Sequence, residues 1–282
     1  MDLPEDQAFD LVRRHLLRSR GIDLAGYSRP FIMRGIRKTM ARSGAKDYGD
    51  YLRLLRQNEE ETTKLLCSLS INVTEFFRDR PAFESFSVRA IRPLLEDKCS
   101  GGGGILRIWS AGCATGQEAY TLGMCVAQEM TKMRTDKPMT IVVGTDISAK
   151  ALERARKGFF TSEQVQGLSE LMLRTYFEKV EGGYLVSEKL RKGVRFARHN
   201  LLDSPTTKHF DAIVCRNVVI YFSRPMHERV MTNLHEALRP GGYLMLGRTE
   251  TLMGTYRKKF ETVDSENRIF RKGAWRAHPA SP

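Results

Sequence analysis

The stretch Ile105-Leu-Arg-Ile-Trp-Ser-Ala-Gly-Cys-Ala-Thr-Gly-Gln-Glu118 decides the fold of this chain of 282 residues. It opens with a mostly apolar run, carries glycines at positions 112 and 116, and leads into a helical pattern from about Gly116 to Met133. A short apolar run bounded by glycine is typical of a buried strand, and glycine lets the backbone turn sharply or come close to a ligand. The stretch therefore predicts a strand, a tight loop and a helix.

Strand and helix patterns alternate on the carboxyl side of this stretch. We predict further strands at Thr140–Gly144, Val194–Arg198, Asp211–Cys215 and Tyr243–Gly247, and helices near Ala149–Lys157 and Pro225–Leu238. Short buried strands that alternate with helices form an open parallel α/β sheet. Two segments interrupt the alternation. Tyr176–Val186 predicts a hairpin with Gly182-Gly183 in its turn, and Phe260–Arg271 predicts a strand pair that closes the sheet.

The region in front of the sheet, from about Asp6 to Leu69, has a helical pattern throughout. Apolar residues recur at helical spacing, as in Ile32, Ile36 and Met40, which indicates helices with one buried face. Glycine and proline fall between the periodic stretches and mark their ends. We therefore expect an all-α domain before the α/β domain.

The composition is that of a soluble globular protein, with 41% hydrophobic and 28% charged residues. No stretch approaches the roughly 18 apolar residues that span a bilayer, and the acidic start Met1-Asp-Leu-Pro-Glu-Asp6 lacks the order of a signal peptide. We expect a cytoplasmic protein without membrane insertion. The 5 cysteines include no C-x-x-C pair, which argues against a disulfide framework and a thiolate zinc site, so no metal is expected.

Ligands of an open parallel sheet bind beyond the carboxyl ends of its strands. The loop after the first strand is not G-x-G-x-x-G, which disfavours a dinucleotide pyrophosphate, although such a loop can also simply turn the chain. Asp146 follows the second strand, where an acidic side chain can accept hydrogen bonds from ribose hydroxyls; alternatively, it caps the helix that starts near Ser148. Together the loop and Asp146 predict a nucleoside ligand without phosphate contacts, which suits S-adenosylmethionine.

Five segments resemble, in the same order, the signature segments of CheR, the chemotaxis receptor methyltransferase family. They are Asn72-Val-Thr-Glu-Phe-Phe-Arg78, Trp109-Ser-Ala-Gly-Cys-Ala-Thr-Gly-Gln-Glu118, Thr145-Asp-Ile147, His199-Asn-Leu-Leu202 and Cys215-Arg-Asn-Val-Val-Ile-Tyr-Phe222. The resemblance implies a Rossmann-like class I S-adenosylmethionine methyltransferase domain at residues 76–282, with a small antiparallel β-subdomain at about 176–198. An all-α receptor-docking domain at residues 1–75 would precede it. Gly112, Gln117 and Ala119 depart from the Ala, Glu and Pro that are more usual in the family's loop.

The resemblance also implies an activity and the residues that serve it. A methyl group would pass from S-adenosylmethionine to glutamate side chains in the cytoplasmic helical region of chemoreceptors, which forms methyl esters in sensory adaptation and leaves S-adenosylhomocysteine. Glu118 would bind the cofactor's amino group and Asp146 its ribose. The residues implied to bind the cofactor are Asn72, Thr74, Arg78, Gly112, Glu118, Asp146, Asn200, Leu201, Arg216 and Asn217. Arg78 and Tyr221 are implied as catalytic residues. Taken alone, Arg78 is better explained by a surface ion pair with Glu75 or Asp79, and Tyr221 by a half-buried aromatic side chain.

A carboxylate acceptor suits this site, because glutamate is ionised at neutral pH, with an ordinary pKa of about 4.3, and needs no general base. The enzyme must then supply positioning, and a guanidinium such as that of Arg78 can hold a carboxylate through two hydrogen bonds. Two alternatives stay open. One is a class I methyltransferase that acts on RNA or a small molecule, and the other is a non-catalytic cofactor-binding receptor adaptor.

The net charge of +13 draws anionic partners. Arg34, Arg37, Lys38 and Arg42 fall on one side of a predicted helix; such a stripe is often only a solvated face, but the resemblance implies that it docks on acidic receptor helices. A nucleic-acid partner would predict a broad basic face with exposed aromatic residues, which we do not find. In some members of the family that the chain resembles, the β-subdomain binds a peptide at the receptor's C-terminus. Because the turn of the predicted hairpin is short, we expect weak or no affinity for such a peptide.

Overall fold

The structure, a computed structural model, describes residues 4–20, 24, 27–69, 74–101 and 104–273. The chain forms two compact units. The first contains Met1–Asn72 together with Tyr221–His227, and the second contains Val73–Ile220 and Glu228–Pro282. Within the described ranges, no helix is long and apolar enough to cross a membrane.

The first unit is helical, as predicted. Its helices are α1 (Glu5–Arg20), α2 (Arg29–Ser43), α3 (Tyr48–Gln57) and α4 (Glu59–Leu69). Buried apolar side chains from all of them form one core, among them Leu16, Ile36, Tyr51 and Leu65. The helix α2 ends at Gly44, whose φ of 75° lies in the left-handed region that favours glycine at a helix end.

The rest of the chain alternates helices and strands. The helices are α5 (Arg80–Phe86), α6 (Arg92–Ser100), α7 (Gln117–Lys132), α8 (Ala149–Lys157), α9 (Glu170–Tyr176), α10 (Glu188–Lys192), α11 (Arg224–Ala237) and α12 (Tyr256–Lys259). The strands are β1 (Ile105–Ala111), β2 (Met139–Asp146), β3 (Phe159–Phe160), β4 (Phe177–Val180), β5 (Gly183–Val186), β6 (Val194–Arg198), β7 (Phe210–Cys215), β8 (Leu238–Leu246), β9 (Phe260–Asp264) and β10 (Ile269–Lys272). A π-helical turn, Ser87–Ile91, joins α5 to α6, and short 3-10 turns lie at Glu163–Val165 and Val219–Tyr221.

Seven strands form the large sheet in the order β6-β2-β1-β7-β8-β10-β9. The strands from β6 to β8 pair in parallel, whereas β10 and β9 are antiparallel and complete the sheet, as predicted for the last strand pair. Chain order reverses at β1, with β2 on one side and β7 on the other. Because parallel strands end at the same edge, the loops after β1, β2, β6 and β7 share the edge where ligands of such sheets bind.

The small antiparallel sheet has the order β3-β5-β4 and differs from the range expected for it. It includes Phe159–Phe160, which the sequence did not indicate because two residues carry no periodic pattern. It does not include Val194–Arg198, which pairs in parallel with β2 in the large sheet.

The β4–β5 turn also differs by one residue from the predicted one. Its two residues are Glu181 and Gly182, and Gly183 already pairs with Val180. Gly183 is a glycine for another reason, since a Cβ at this position would collide with the carbonyl oxygen of Phe160.

Asp211 joins several elements at the opposite end of β7 from the ligand-binding edge. Its carboxylate is buried and accepts a hydrogen bond from the backbone N–H of Arg107 at 2.9 Å. It also pairs with Arg239 Nε at 2.6 Å and Lys98 Nζ at 3.1 Å. One carboxylate thus connects β7 with β1, α6 and β8.

We predict that Asp211→Asn lowers the free energy of unfolding by about 3 kcal/mol, because it removes the charge that two partly buried cations share. Chemical denaturation measures the change. Asp97→Asn is the matched control, since Asp97 also pairs with Arg239 but its side chain is 64% exposed, and we expect less than about 1 kcal/mol from it. Equal losses in the two variants would contradict the role given to Asp211.

Candidate active site

The loop after β1 is fixed by its backbone. The N–H groups of Gly112 and Cys113 both donate to the carbonyl oxygen of Thr145, at 2.8 and 2.9 Å. Gly112 has a φ of 83°, and a Cβ on it would lie 2.5 Å from Cγ2 of Val218. The glycine that departs from the family's usual alanine is therefore required by the packing of this chain, because Val218 occupies the room that a methyl group would need.

Asp146 ties the loop after β1 to the loop after β2. Its Oδ2 accepts a hydrogen bond from the N–H of Ala114 at 2.9 Å, and its Oδ1 accepts one from the N–H of Ser148 at 2.8 Å. The cap of α8 is Ser148, whose hydroxyl accepts from the N–H of Ala151, so Asp146 is not the helix cap. Each carboxylate oxygen has a second lone pair, which leaves Asp146 able to accept further hydrogen bonds.

Glu118 lies in the first turn of α7 and is partly buried against β1. Its Oε1 accepts a hydrogen bond from Ser110 Oγ at 2.8 Å. Burial raises the pKa of Glu118 to about 7, although Arg216, the Ser110 hydroxyl and Arg78 act to lower it; the negative charge of Glu250 raises it further. A bound cation would favour the charged form of such a carboxylate. Glu118 is therefore suited to receive an ammonium group.

Arg216 holds the turn that carries Arg78. Its side chain is only 3% exposed, Nη1 donates to the carbonyl oxygen of Arg78 at 2.5 Å, and Nη2 pairs with Asp79 Oδ2 at 3.0 Å. The guanidinium also lies over the ring of Phe83, 5.2 Å from its centroid. Burial lowers the pKa of Arg216, while Glu118 and Asp79 raise it. The end of β7 thus fixes the backbone from which Arg78 projects.

Of the seven non-glycine residues with a positive φ in the described part of the chain, four lie at the same edge; the other three are Arg134, His209 and Arg268. The φ angle is positive at Phe77 (50°), Asp79 (65°), Ala114 (47°) and Asn217 (58°). Residues in this region cost of order 1–3 kcal/mol each and persist where the surroundings hold them, which happens most often at functional sites. The strain supports the assignment of this edge as the active site.

Asn200 and Leu201 follow β6, next to Asp146. The backbone N–H of His199 donates to the carbonyl oxygen of Asp146 at 3.1 Å. The buried side chain of Asn233 on α11 donates to the carbonyl oxygen of Leu201 and to that of Asp203, both at 2.9 Å. Asn233 was not singled out in the sequence, because a polar residue inside a helix pattern gives no sign of the loop that it holds.

The structure describes three of the predicted residues, Asn72, Thr74 and Tyr221, in less detail or not at all. Asn72 lies outside the described residues. Thr74 is half-buried in the segment before α5, and Tyr221 ends the turn Val219–Tyr221, with its side chain outside the described part. Their cofactor and catalytic roles stay predictions. Within the described ranges, no group of three or more His, Cys, Asp or Glu side chains is arranged to hold a metal ion.

Glu250, just beyond β8, is the main residue that the sequence did not single out for this edge. Its buried carboxylate accepts hydrogen bonds from the backbone N–H groups of Asn217, Val218, Val219 and Gly247. Two signals point to it: it is a glutamate soon after a predicted strand, and it ends the segment Arg248-Thr249-Glu250, which stands where His-Ser-Glu is common in the family that the chain resembles.

The basic stripe of α2 is exposed. All of Arg34, Arg37, Lys38 and Arg42 face outward, while the other side of α2 is buried. Arg37 pairs with Glu5 of α1, which raises the pKa of Arg37. The other three make no ion pair with an acidic residue in the described part of the chain. The stripe therefore offers three unneutralised cations on one helix.

Comparison with known families gives two matches in succession. Residues 7–70 match the family model of the CheR methyltransferase all-alpha domain. Residues 72–269 match the model of the CheR methyltransferase SAM binding domain. The two matches follow the order of the helical and α/β parts of the structure.

Similar proteins cover most of the chain. It is 32% identical over 252 residues to a chemotaxis protein methyltransferase of Listeria monocytogenes, covering 89% of this chain and 92% of that protein. It is 34% identical over 249 residues to chemotaxis protein methyltransferase 1 of Pseudomonas aeruginosa, covering 86% and 90%. It is also 33% identical over 249 residues to an uncharacterized 104.1 kDa protein of Rhodobacter capsulatus, of which it spans only 26%. The chain therefore belongs to the CheR methyltransferase family.

Proposed function

We propose that this protein transfers a methyl group from S-adenosylmethionine to glutamate side chains in the cytoplasmic helical region of chemotaxis receptors, forming methyl esters. The family match and the chemotaxis methyltransferases among its relatives support the donor and the setting. The glutamate acceptor is what the resemblance to the family implies, and an arginine among the cofactor residues suits a carboxylate. The observation that carries it is the Arg216 clamp, which fixes the backbone of Arg78 by a 2.5 Å hydrogen bond beside the partly buried Glu118.

The residues at the carboxyl edge fit S-adenosylmethionine. Glu118, with its raised pKa, would hold the ammonium group, and Asp146 retains lone pairs for the ribose hydroxyls. Nε of Arg216 is buried and has no hydrogen-bond partner in the described part of the chain, which leaves one donor available to a polar ligand. The further binding residues in this proposal are Asn72, Thr74, Arg78, Gly112, Asn200, Leu201 and Asn217.

The chemistry is an in-line displacement at the sulfonium methyl group that the cofactor supplies. The acceptor carboxylate is already ionised at neutral pH, so the protein's task is to position it and to exclude water. Arg78 would hold that carboxylate through two hydrogen bonds. We assign Tyr221 as the second catalytic residue, next to the incoming glutamate.

The two alternative functions are less well supported. Transfer to RNA or a small molecule has no counterpart among the chemotaxis methyltransferases that the chain resembles. A non-catalytic adaptor would have no use for Arg78 and Tyr221 as the catalytic residues that the resemblance implies. We also propose weak or no affinity for the receptor's C-terminal peptide, because the β4–β5 turn has only two residues.

We predict that the acceptor is a carboxylate. A receptor cytoplasmic fragment should take up one labelled methyl group for each accessible glutamate, and the same fragment with those glutamates replaced by glutamine should take up almost none, because an amide is a poor nucleophile. Scintillation counting of methyl-labelled fragment measures this. Equal labelling of both fragments, or inhibition by RNA and not by the acidic fragment, would exclude the proposed substrate.

We predict that affinity for S-adenosylmethionine falls as the pH drops below about 7, because protonation removes the charge of Glu118 that the ammonium requires. Calorimetric titration between about pH 6 and 8, about one unit on either side of that value, measures it. In Glu118→Gln the affinity should be weaker than in the wild type above about pH 7, and this dependence should vanish. A wild-type affinity that does not vary with pH would contradict the assignment.

The stability of the same variant provides an internal check. The folded-state pKa of Glu118 lies above its ordinary value of 4.5, so folding favours the neutral form, and stability is lost as the pH rises through about 7. Glu118→Gln should therefore unfold at a higher temperature than the ligand-free wild type at pH 8, which is above that pKa. Near pH 4.5, the ordinary value, the two proteins should be alike.

We predict that Arg34→Glu, Lys38→Glu and Arg42→Glu together slow methylation of receptor membranes at low salt by about tenfold or more, because they reverse the charge of the docking helix. Affinity for the cofactor should not change. Arg37→Gln is the control, since Glu5 already neutralises that charge. An unchanged methylation rate in the triple variant would exclude α2 as the docking surface.

A further inference from the structure

Glu250 is surrounded by backbone amides. Its Oε1 accepts from the N–H groups of Val218 (2.9 Å) and Val219 (3.0 Å), and its Oε2 accepts from those of Asn217 (2.9 Å) and Gly247 (2.7 Å). The side chain is buried. A buried carboxylate is costly unless its lone pairs are satisfied, and here four neutral N–H groups satisfy them.

These amides belong to loops that the active site uses. Three of them lie in sequence directly after Arg216, whose guanidinium holds the Arg78 turn. Asn217 has a φ of 58°, a conformation that requires support from outside the residue. Val218 packs against Gly112 in the loop after β1. Through these hydrogen bonds, Glu250 joins the loop after β7 to the loop after β8. It thereby fixes the position of Val218, which packs against the loop after β1.

We propose that Glu250 is a positioning residue for cofactor binding, whose carboxylate holds the loops after β7 and β8 in the conformation that receives S-adenosylmethionine. Nothing in the family resemblance assigns it this task. The inference rests on the proposed binding of the cofactor's ammonium group by Glu118. It adds to that proposal the residue that holds the neighbouring loops in place.

The charge of Glu250 has a second effect, on Glu118. The charged groups that act on Glu118 are Arg216 from the loop after β7, Arg78 from the segment before α5, and Glu250 from the loop after β8. Burial does most to raise the pKa of Glu118; the two arginines and the Ser110 hydroxyl oppose it, and Glu250 adds to it. Removing the charge of Glu250 should therefore lower the pKa of Glu118.

Glu250→Gln separates positioning from a general loss of stability. The amide is the same size but would turn an N–H₂ group toward two of the backbone N–H groups, so we expect affinity for S-adenosylmethionine to weaken by about tenfold or more. The pH at which affinity is half lost should also move lower, because Glu118 would ionise more easily. A merely structural role would lower the melting temperature together with the affinity, whereas the shift of the pH midpoint reports the loss of the Glu250 charge that acts on Glu118.

Two further variants complete the experiment, which uses calorimetric titration of the full chain with S-adenosylmethionine across the same pH range. Glu250→Asp keeps the charge but is one methylene shorter, so it should weaken binding while leaving the pH midpoint in place. Glu266→Gln, an exposed change in the β9–β10 turn, should alter neither. If Glu250→Gln binds as tightly as wild type with the same midpoint, the inference is wrong, whereas failure of the wild type to bind would refute the proposed function itself.

Amide hydrogen exchange in the wild-type protein decides the matter if Glu250→Gln does not fold. The amides of Gly247, Val218 and Val219 should exchange slowly because they are hydrogen-bonded to a buried carboxylate. Those of Arg248 and Thr249, exposed residues of the same loop, serve as the reference. Exchange of both groups at the same fast rate would overturn the inference.

Discussion

At the carboxyl edge of the large sheet, the backbone N–H groups of the loops no longer have partners in the hydrogen-bond ladder of the strands. Carboxylate side chains accept hydrogen bonds from several of these N–H groups. Asp146 accepts from Ala114 and Ser148, which joins the loops after β1 and β2. Glu250 does the same for the loops after β7 and β8. Buried amides must find partners, so this requirement determines the shape of the edge. The cofactor residues keep their places because the loops that bear them are held in this way.

The same edge is a compromise between stability and binding. Glu118 is placed where burial and the charge of Glu250 disfavour its ionised form, and Phe77 and Asp79 adopt strained backbone angles. A ligand that brings a cation to Glu118 would relieve part of this cost. The buried guanidinium of Arg216 links the two features, since it acts on Glu118 and clamps the turn at Arg78. Neither feature would benefit the folded chain on its own.

Much of this architecture was predictable from local sequence. The strands around Ile108, Val142 and Ile213 are apolar runs, and the helices between them are marked by periodicity, so the parallel sheet and its ligand-binding edge could be predicted. The start of β8 could not, because Pro240 and the following glycines indicate a break, although Leu238 already pairs with Phe210. Glu250 and Asn233 escaped notice for a different reason. Each bonds to backbone atoms roughly 30 residues away, and no local pattern reports such contacts.

The chemical form of the transferred methyl group tests the central claim most directly. Receptor-containing membranes are incubated with the protein and with S-adenosylmethionine labelled in its methyl group, and the labelled receptor is then treated with base. A glutamate methyl ester releases its label as methanol under these conditions, whereas methylated nitrogen retains it. The account predicts base-labile label in the receptor band. Label that resists base, or a receptor band that takes up none, would contradict it.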